Sequence, residues 1–341
     1  MGFSVLEPRS SINIEETRLI RDSMSLQDLG FLDTGKRRIL MFCGKGGTGK
    51  TTSSTVTAVH FALQGQRTLL ISTDPAPSLS DILETDVGGE IKAVPGVLGL
   101  SSVELDYDLV VELWKERYGA EVYDLVSSFL PVEEDIIEYI AGAPGIDQEF
   151  ALGYLYDLYV GDDYDVIVWD TAPAGGTLAL INLQDTFYRH MGEAARMYVR
   201  VRSALDALTR GTKNDPLRII AKWEELSKNV LDMMKDETTQ AIVVTNPEAL
   251  CVARTGRVVD DLEKFGIQVG GIVLNRVLTA EAADSPFNMN LREVQLKYIE
   301  ELNESYRGKL TIAQVPLMGF EVKGVEALKR LEKVLYASST P

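Results

Sequence analysis

The sequence predicts a doubly wound α/β fold: a mostly parallel sheet covered on both faces, with an inserted helical subdomain. Three observations carry that reading. Short, continuous Ile/Val/Leu runs of strand length recur along the chain. Helical stretches separate them, as parallel pairing requires. A single glycine-rich loop joins the first such run to a helix.

Taken in order, residues 1–36 are polar, carry helix-compatible stretches and end at Asp33-Thr34-Gly35-Lys36, so they read as an N-terminal extension. The main domain is expected over 37–341. Arg38–Cys43 (RILMFC) is the first strand, and Lys50–Leu63 the helix that follows the glycine loop. Thr68–Ser72, Val166–Trp169, Ala241–Thr245, Gly271–Leu274 and Leu310–Ala313 are the further buried strands. Two stretches lack strand signals and read as the helical subdomain, about 107–160 and about 185–236. Within the second, Met197, Val201, Leu205 and Leu208 fall at three-to-four spacing, as do Ile219, Trp223, Leu226, Val230 and Met233. Such stripes either pack into the core or form an apolar groove, and the methionines Met191, Met197, Met233 and Met234 fit both readings.

Composition narrows the function classes. The chain has 341 residues, 45% of them hydrophobic, enough for one large or two small cores. A net charge of −17 repels phosphate backbones, and no basic patch in the sequence offsets it, so no nucleic-acid partner is expected. Cys43 and Cys251 are far apart with no CxxC, and His60 and His190 are the only histidines, which excludes a standard zinc site within one chain. They read as buried thiols in a reducing cytoplasm. No apolar run approaches the roughly 20 residues that span a bilayer, and the first residues lack a signal-peptide core.

The chemistry is concentrated at Gly44-Lys45-Gly46-Gly47-Thr48-Gly49-Lys50-Thr51, which fits G-x-x-x-x-G-K-[ST] between a predicted strand and a predicted helix. Glycines let successive amides curve around phosphate oxygens, and the helix N-terminus adds partial positive charge. Lys50 is expected on the β- and γ-phosphates of ATP, and the Thr51 hydroxyl on magnesium, with Thr52 following in the binding turn. Lys45 is an extra cation that would point across the loop mouth, unless it is an ordinary surface lysine. Asp74, after the second strand, and Asp170, after Val166–Trp169, are acids at the carboxyl ends of neighbouring parallel strands and so face the phosphate crevice. Asp74 is placed to orient an attacking water and Asp170 to support the metal. Asp74, Lys45 and Lys50 are therefore the candidate catalytic residues, and Thr51, Asp74 and Asp170 the candidate metal side. Asp81 reads as a turn or helix-capping acid.

The loop GKGGTGKT resembles the deviant P-loop of the ArsA/Get3, MinD/ParA and nitrogenase iron-protein ATPases. In those families the first lysine reaches the facing subunit's nucleotide, so the resemblance implies that Lys45 acts in trans within a homodimer. STDPAPSLSD at 72–81 and DTAPAGGTL at 170–178 look like switches I and II of the ArsA/Get3 ATPases, and PGID at 144–147 like that family's PGIDE element. Asn275 resembles the family's adenine-contacting asparagine, and Val315-Pro316-Leu317 its adenine-side loop. The resemblance covers about 38–335 and implies a magnesium-dependent ATPase that shields a hydrophobic client, such as a tail-anchored membrane helix. Pro77, Ala174, Gly176 and Ala179 depart from the family's His, Thr, His and Arg, which puts the usual switch coupling in question. The zinc-binding CxxC is absent, its nearest counterpart being Asn288–Leu291. Alternatives are an anion-pump ATPase, which would want metalloid-binding cysteines, and a MinD/ParA-like positioning ATPase, which would want a basic membrane-binding terminus.

Overall fold

All seven residues of strand β1 (Arg38–Gly44) are buried, which explains why its sequence shows no polar–apolar alternation. The computed structural model describes residues 38–74, 78–127, 133, 135–142, 146–172 and 216–336. From β1 the chain runs through α1 (Lys50–Leu63), β2 (Thr68–Ser72), α2 (Ser78–Leu83), the short β3 (Lys92–Ala93) and β4 (Leu100–Glu104). Helices α3 (Tyr107–Ser127), α4 (Ile136–Ala141) and α5 (Ile146–Val160) come next, then β5 (Val166–Asp170) and α6 (Pro216–Lys235). The remainder is β6 (Thr239–Thr245), α7 (Ala249–Lys264), β7 (Gln268–Val277), α8 (Pro286–Tyr306), β8 (Ile312–Pro316) and α9 (Gly324–Leu335).

The strands form one sheet in the order β3-β4-β2-β5-β1-β6-β7-β8. Every pair is parallel except β3 with β4. Alternate residues of each strand face opposite sides, so the sheet separates two apolar layers. On one side Ile39, Met41, Ile71, Ile167, Trp169 and Val243 pack with residues of α3, α5, α6, α7 and α8. On the other Leu40, Phe42, Leu70, Val168, Ile242 and Val273 pack with α1, α2 and α9. This is the doubly wound architecture, and it sends the carboxyl end of each parallel strand to one rim.

The strands outrun their sequence signals in places. β6 begins at Thr239, β7 spans Gln268–Val277, and β8 begins at Ile312 rather than Leu310. The polar flanks Thr239, Gln240 and Gln268 are held by ladder pairing, not by apolar burial alone. β4 (LSSVE) and β3 were not among the expected strands, since the first contains two serines and the second has only two exposed residues.

The 219–233 stripe belongs to the core. Val230, Met233 and Met234 are buried, and Trp223 and Leu226 pack against the same cluster. Edge-to-face ring contacts join Tyr118 of α3 to Phe150 of α5 and Trp223 of α6, each at 6.2 Å between centroids. The 197–208 stripe, Met191 and residues 1–36 lie outside the described residues, as do Pro77, Ala174, Gly176 and Ala179. On the opposite layer, buried His60 of α1 places Nδ1 2.8 Å from Glu332 Oε1 of α9. Tyr336 stacks on that imidazole at 3.7 Å and donates a 2.8 Å hydrogen bond to Thr57 Oγ1. The helix leaving the glycine loop is thus fastened to α9 by polar as well as apolar contacts. Among the described residues no helix is long and apolar enough to cross a membrane.

Candidate nucleotide-binding site

The site begins where β1 stops. Gly44 approaches β6 so closely that a Cβ there would sit 2.2 Å from the Val244 carbonyl oxygen, so only glycine fits. The loop then turns through Gly47 and Gly49, with φ of +80° and +94°. Thr48 braces it internally, its hydroxyl donating to the Lys45 carbonyl at 2.8 Å. Gly49 caps α1 without a side-chain hydrogen bond, and no acidic residue lies in the first turn. The leading amides of α1 therefore have no side-chain cap, and the helix dipole places partial positive charge at this end. Lys50 is only 6% exposed and, among the described residues, has no ion-pair partner. A buried ammonium that forms no ion pair among the described residues suits an anionic ligand.

On the β5 side, Thr51 Oγ1 donates to Asp170 Oδ2 at 2.7 Å. Asp170 is fully buried, and among the described residues its other oxygen, Oδ1, has no hydrogen-bond partner. Burial raises this carboxyl to about 7, against the opposing pull of the Thr51 hydrogen bond and the Lys50 charge, while Asp74 pushes it further up. An orphaned buried carboxylate oxygen beside a hydroxyl is the donor set that a hard divalent cation prefers. The residues present fit magnesium. Asp74 is partly buried at the start of the next segment, which is tied to β5. The Thr73 amide donates to the Asp170 carbonyl at 3.1 Å, Trp169 Nε1 donates to Thr73 Oγ1 at 3.0 Å, and the Asp74 amide donates to Ser72 Oγ at 3.2 Å.

The other lysine of the loop is Lys45. Lys45 is partly buried, and its charge is felt at the Cys251 thiol on α7, which burial and Glu248 nonetheless raise above the usual range. Both cysteines are buried and free. Burial pushes the Cys43 thiol up to about 12, only partly opposed by Lys50.

Asn275 is engaged with the loop itself. Its Nδ2 donates to the Thr48 carbonyl at 2.8 Å, and its Oδ1 accepts from the Arg276 amide at 2.9 Å. A Cβ on Gly49 would lie 2.1 Å from that Nδ2. Arg276 then takes a left-handed conformation, φ +60°, held by Gln295 of α8, which donates to its carbonyl at 3.0 Å and accepts from the Leu278 amide at 2.7 Å. Pro316 pairs with Val277, and the Leu317 amide donates to the Val277 carbonyl at 2.8 Å, leaving the Leu317 side chain 49% exposed. Asn275 thus braces the loop at Thr48, with Pro316 and Leu317 joined to the end of the same strand β7, while Asp170 meets the first turn of α1 at Thr51. Thr52 lies partly buried in that turn.

Sequence reasoning passed over Trp169, Gln295 and Glu104 as parts of this rim. Gln295 had a signal: it is polar at an apolar position in the Leu291–Ile299–Leu302 seam of α8. Glu104 had a weaker one, an acid closing a strand at the same sheet edge as Asp74 and Asp170.

Residues 37–337 match the family described as anion-transporting ATPase. The chain is 32% identical over 305 residues to a protein of Aquifex aeolicus named as an arsenical pump-driving ATPase, covering 87% of this chain and 99% of that one. It is 29% identical over 298 residues to the ATPase Get3 of Schizosaccharomyces pombe, covering 86% and 89%. With the ATPase Get3 of Clavispora lusitaniae it shares 30% identity over 319 residues, covering 87% and 89%. A match running from β1 through α9, over a loop shaped for phosphate, places this chain in the ArsA/Get3 family of ATPases, enzymes that hydrolyse ATP.

Proposed function

We propose that the chain binds magnesium ATP at Gly44–Thr51 and hydrolyses it as a two-fold dimer whose nucleotide state governs a hydrophobic client. The observation that carries the metal-nucleotide part is the Asp170 oxygen left without a partner among the described residues beside the Thr51 hydroxyl, in the first turn of a helix whose N-cap makes no side-chain hydrogen bond. Gly44, Gly46, Gly47 and Gly49 supply backbone amides to the phosphates, and Lys50 neutralises their charge. Thr51 and Asp170 hold the magnesium, with Asp74 adjoining them. When bound, that ion draws off charge developing on the phosphate oxygens. Asp74 orients the water that adds to the terminal phosphorus as the bond to the ADP oxygen breaks. Asn275, Pro316 and Leu317 receive the adenine side.

Two observations support the dimer. Lys45 is partly buried and has no ion-pair partner among the described residues, which leaves its charge for the nucleotide of a facing subunit. The start of α8, where the family resemblance puts the counterpart of a zinc-binding CxxC, presents Phe287, Met289 and Leu291, exposed by 75%, 60% and 38%. Apolar side chains there suit a contact made without zinc. The client reading rests on the switch resemblance and favours a membrane-protein helix. A metalloid pump is less well supported, because both cysteines are buried.

Calorimetry with ATP tests the site: affinity that depends on magnesium and disappears in Asp170→Ala supports it, and magnesium-independent binding refutes it. Capture of a synthetic transmembrane segment, with and without ATP, tests the client. Indifference in every nucleotide state, together with turnover stimulated by antimonite, would favour the pump.

A further inference from the structure

Trp169 stands one residue before Asp170 on β5 and is buried. It pairs with Ile71 of β2, and both side chains belong to the apolar layer shared with α3, α5 and α6. An indole in such a layer still carries an N–H that needs an acceptor. It finds one two residues beyond Ile71, where Nε1 donates to Thr73 Oγ1 at 3.0 Å. Thr73 is held from a second direction as well. Its amide donates to the Asp170 carbonyl at 3.1 Å, which carries the β2–β5 ladder one residue past Ser72. The Asp74 amide then donates to Ser72 Oγ at 3.2 Å. Successive strand residues alternate between the two faces of a sheet. With Thr73 on the face of Ile71 and Trp169, Asp74 falls on the face of Leu70 and Val168. On that face Asp170 meets Thr51, near enough for the Asp74 charge to act on Asp170.

We propose that Trp169 is a positioning residue for ATP hydrolysis: its indole N–H pins the Thr73 hydroxyl on the helical side of the sheet and thereby holds Asp74 on the magnesium side. This rests on the reading of Asp74 as the water-orienting acid. A large ring in close-packed surroundings is a fixed donor, whereas a long polar arm would let the acceptor drift. Without the indole N–H, the Thr73 hydroxyl loses the bond that fixes its face, and the residue beyond it can swing. A small misplacement of a group that orients the attacking water costs rate more than affinity. Neither Trp169 nor Thr73 belongs to the glycine loop, so the loss falls on kcat.

The test is steady-state turnover of the full chain, normalised to competent sites counted with a fluorescent ADP analogue. Trp169→Phe keeps an aromatic ring but no donor, and Thr73→Val keeps the branched shape but no acceptor. Each is expected to lower kcat about fivefold, the scale of one hydrogen bond, while KM for ATP and affinity for ADP stay within about twofold. Thr73→Ser, which retains the hydroxyl, should keep at least about half of the wild-type kcat. The double variant Trp169→Phe with Thr73→Val should be no slower than the slower single variant, because both remove the same bond. Thr73 is only partly buried, so Thr73→Val carries the test even if Trp169→Phe fails to fold. An unchanged kcat per competent site in Thr73→Val would reduce Trp169 to a packing residue and overturn the proposal. Losses that multiply in the double variant would overturn it too, since the two side chains would then act apart. Full turnover in Asp74→Asn would instead refute the reading of Asp74, which that single variant reports separately.

Discussion

Asp170 and the two lysines set the chemistry side chain by side chain. An aspartyl group held at about 7 in the fold binds its proton more tightly there than in the unfolded chain, where the value is about 3.9. The folded state therefore loses stability as pH climbs from about 4 to about 7 and stays lower above that. Asp170→Asn removes the penalty, and at pH 7 the ligand-free variant should be more stable by on the order of 3 kcal/mol. Thermal melts across pH 4–8 check this: the two proteins should converge at the acid end, and magnesium should no longer affect nucleotide binding by the variant. The lysines should separate cleanly. Lys50→Ala loses the buried cation at the loop and should depress turnover about a hundredfold or more, through affinity or rate. Lys45→Ala should impair turnover comparably while each monomer still binds nucleotide by fluorescence titration. Full activity in that variant would contradict completion of the site in trans.

Among the elements, the loop between β1 and α1 is the least forgiving of substitution. Gly49 combines a left-handed backbone with a Cβ position 2.1 Å from Asn275 Nδ2. Gly49→Ala should lose about 1–3 kcal/mol of stability from backbone strain and displace the Asn275 brace. Chemical denaturation gives the first quantity and ATP affinity the second. Asn275→Ala in that background should relieve the contact without curing the strain, and so recover affinity only in part. These same elements show what a sequence can carry. β1, α1 and β2 were readable because a continuous apolar run, a glycine motif and a helical stripe each have a local physical cause. β4 was not, because Leu100-Ser101-Ser102-Val103-Glu104 fits neither alternation nor a continuous run, and its place comes from pairing with β2. In the site, Lys50, Thr51, Asp74 and Asp170 stood out through spacing and strand-end position. Gln295, though marked as a polar residue in an apolar seam, and Trp169 owe their roles to partners 17–19 and 96 residues distant, which a local pattern does not identify.

For the molecule as a whole, the sheet divides labour between its layers. One layer, α1, α2 and α9, carries the glycine loop, while the larger one, α3 to α8, carries α8 with its exposed apolar turn. Placing charges on that turn, as Phe287→Asp with Leu291→Asp, should leave a folded monomer that binds ATP with near-native affinity. Its turnover should drop about tenfold if facing subunits complete each other's sites, since two buried, unpaired carboxylates oppose association. Sedimentation with magnesium ATP, run beside a turnover assay, reads both; an intact dimer would exclude this turn as the contact.

The His60–Glu332 pair and the ring stacked on it reach further than their position suggests. His60 stands ten residues beyond Lys50 on the same rigid rod, about 15 Å along its axis. A lever pinned at one end transmits any loosening of that pin to the other. Damage to the final helix should therefore surface first as a weakened grip on triphosphate, well before the strands themselves come apart.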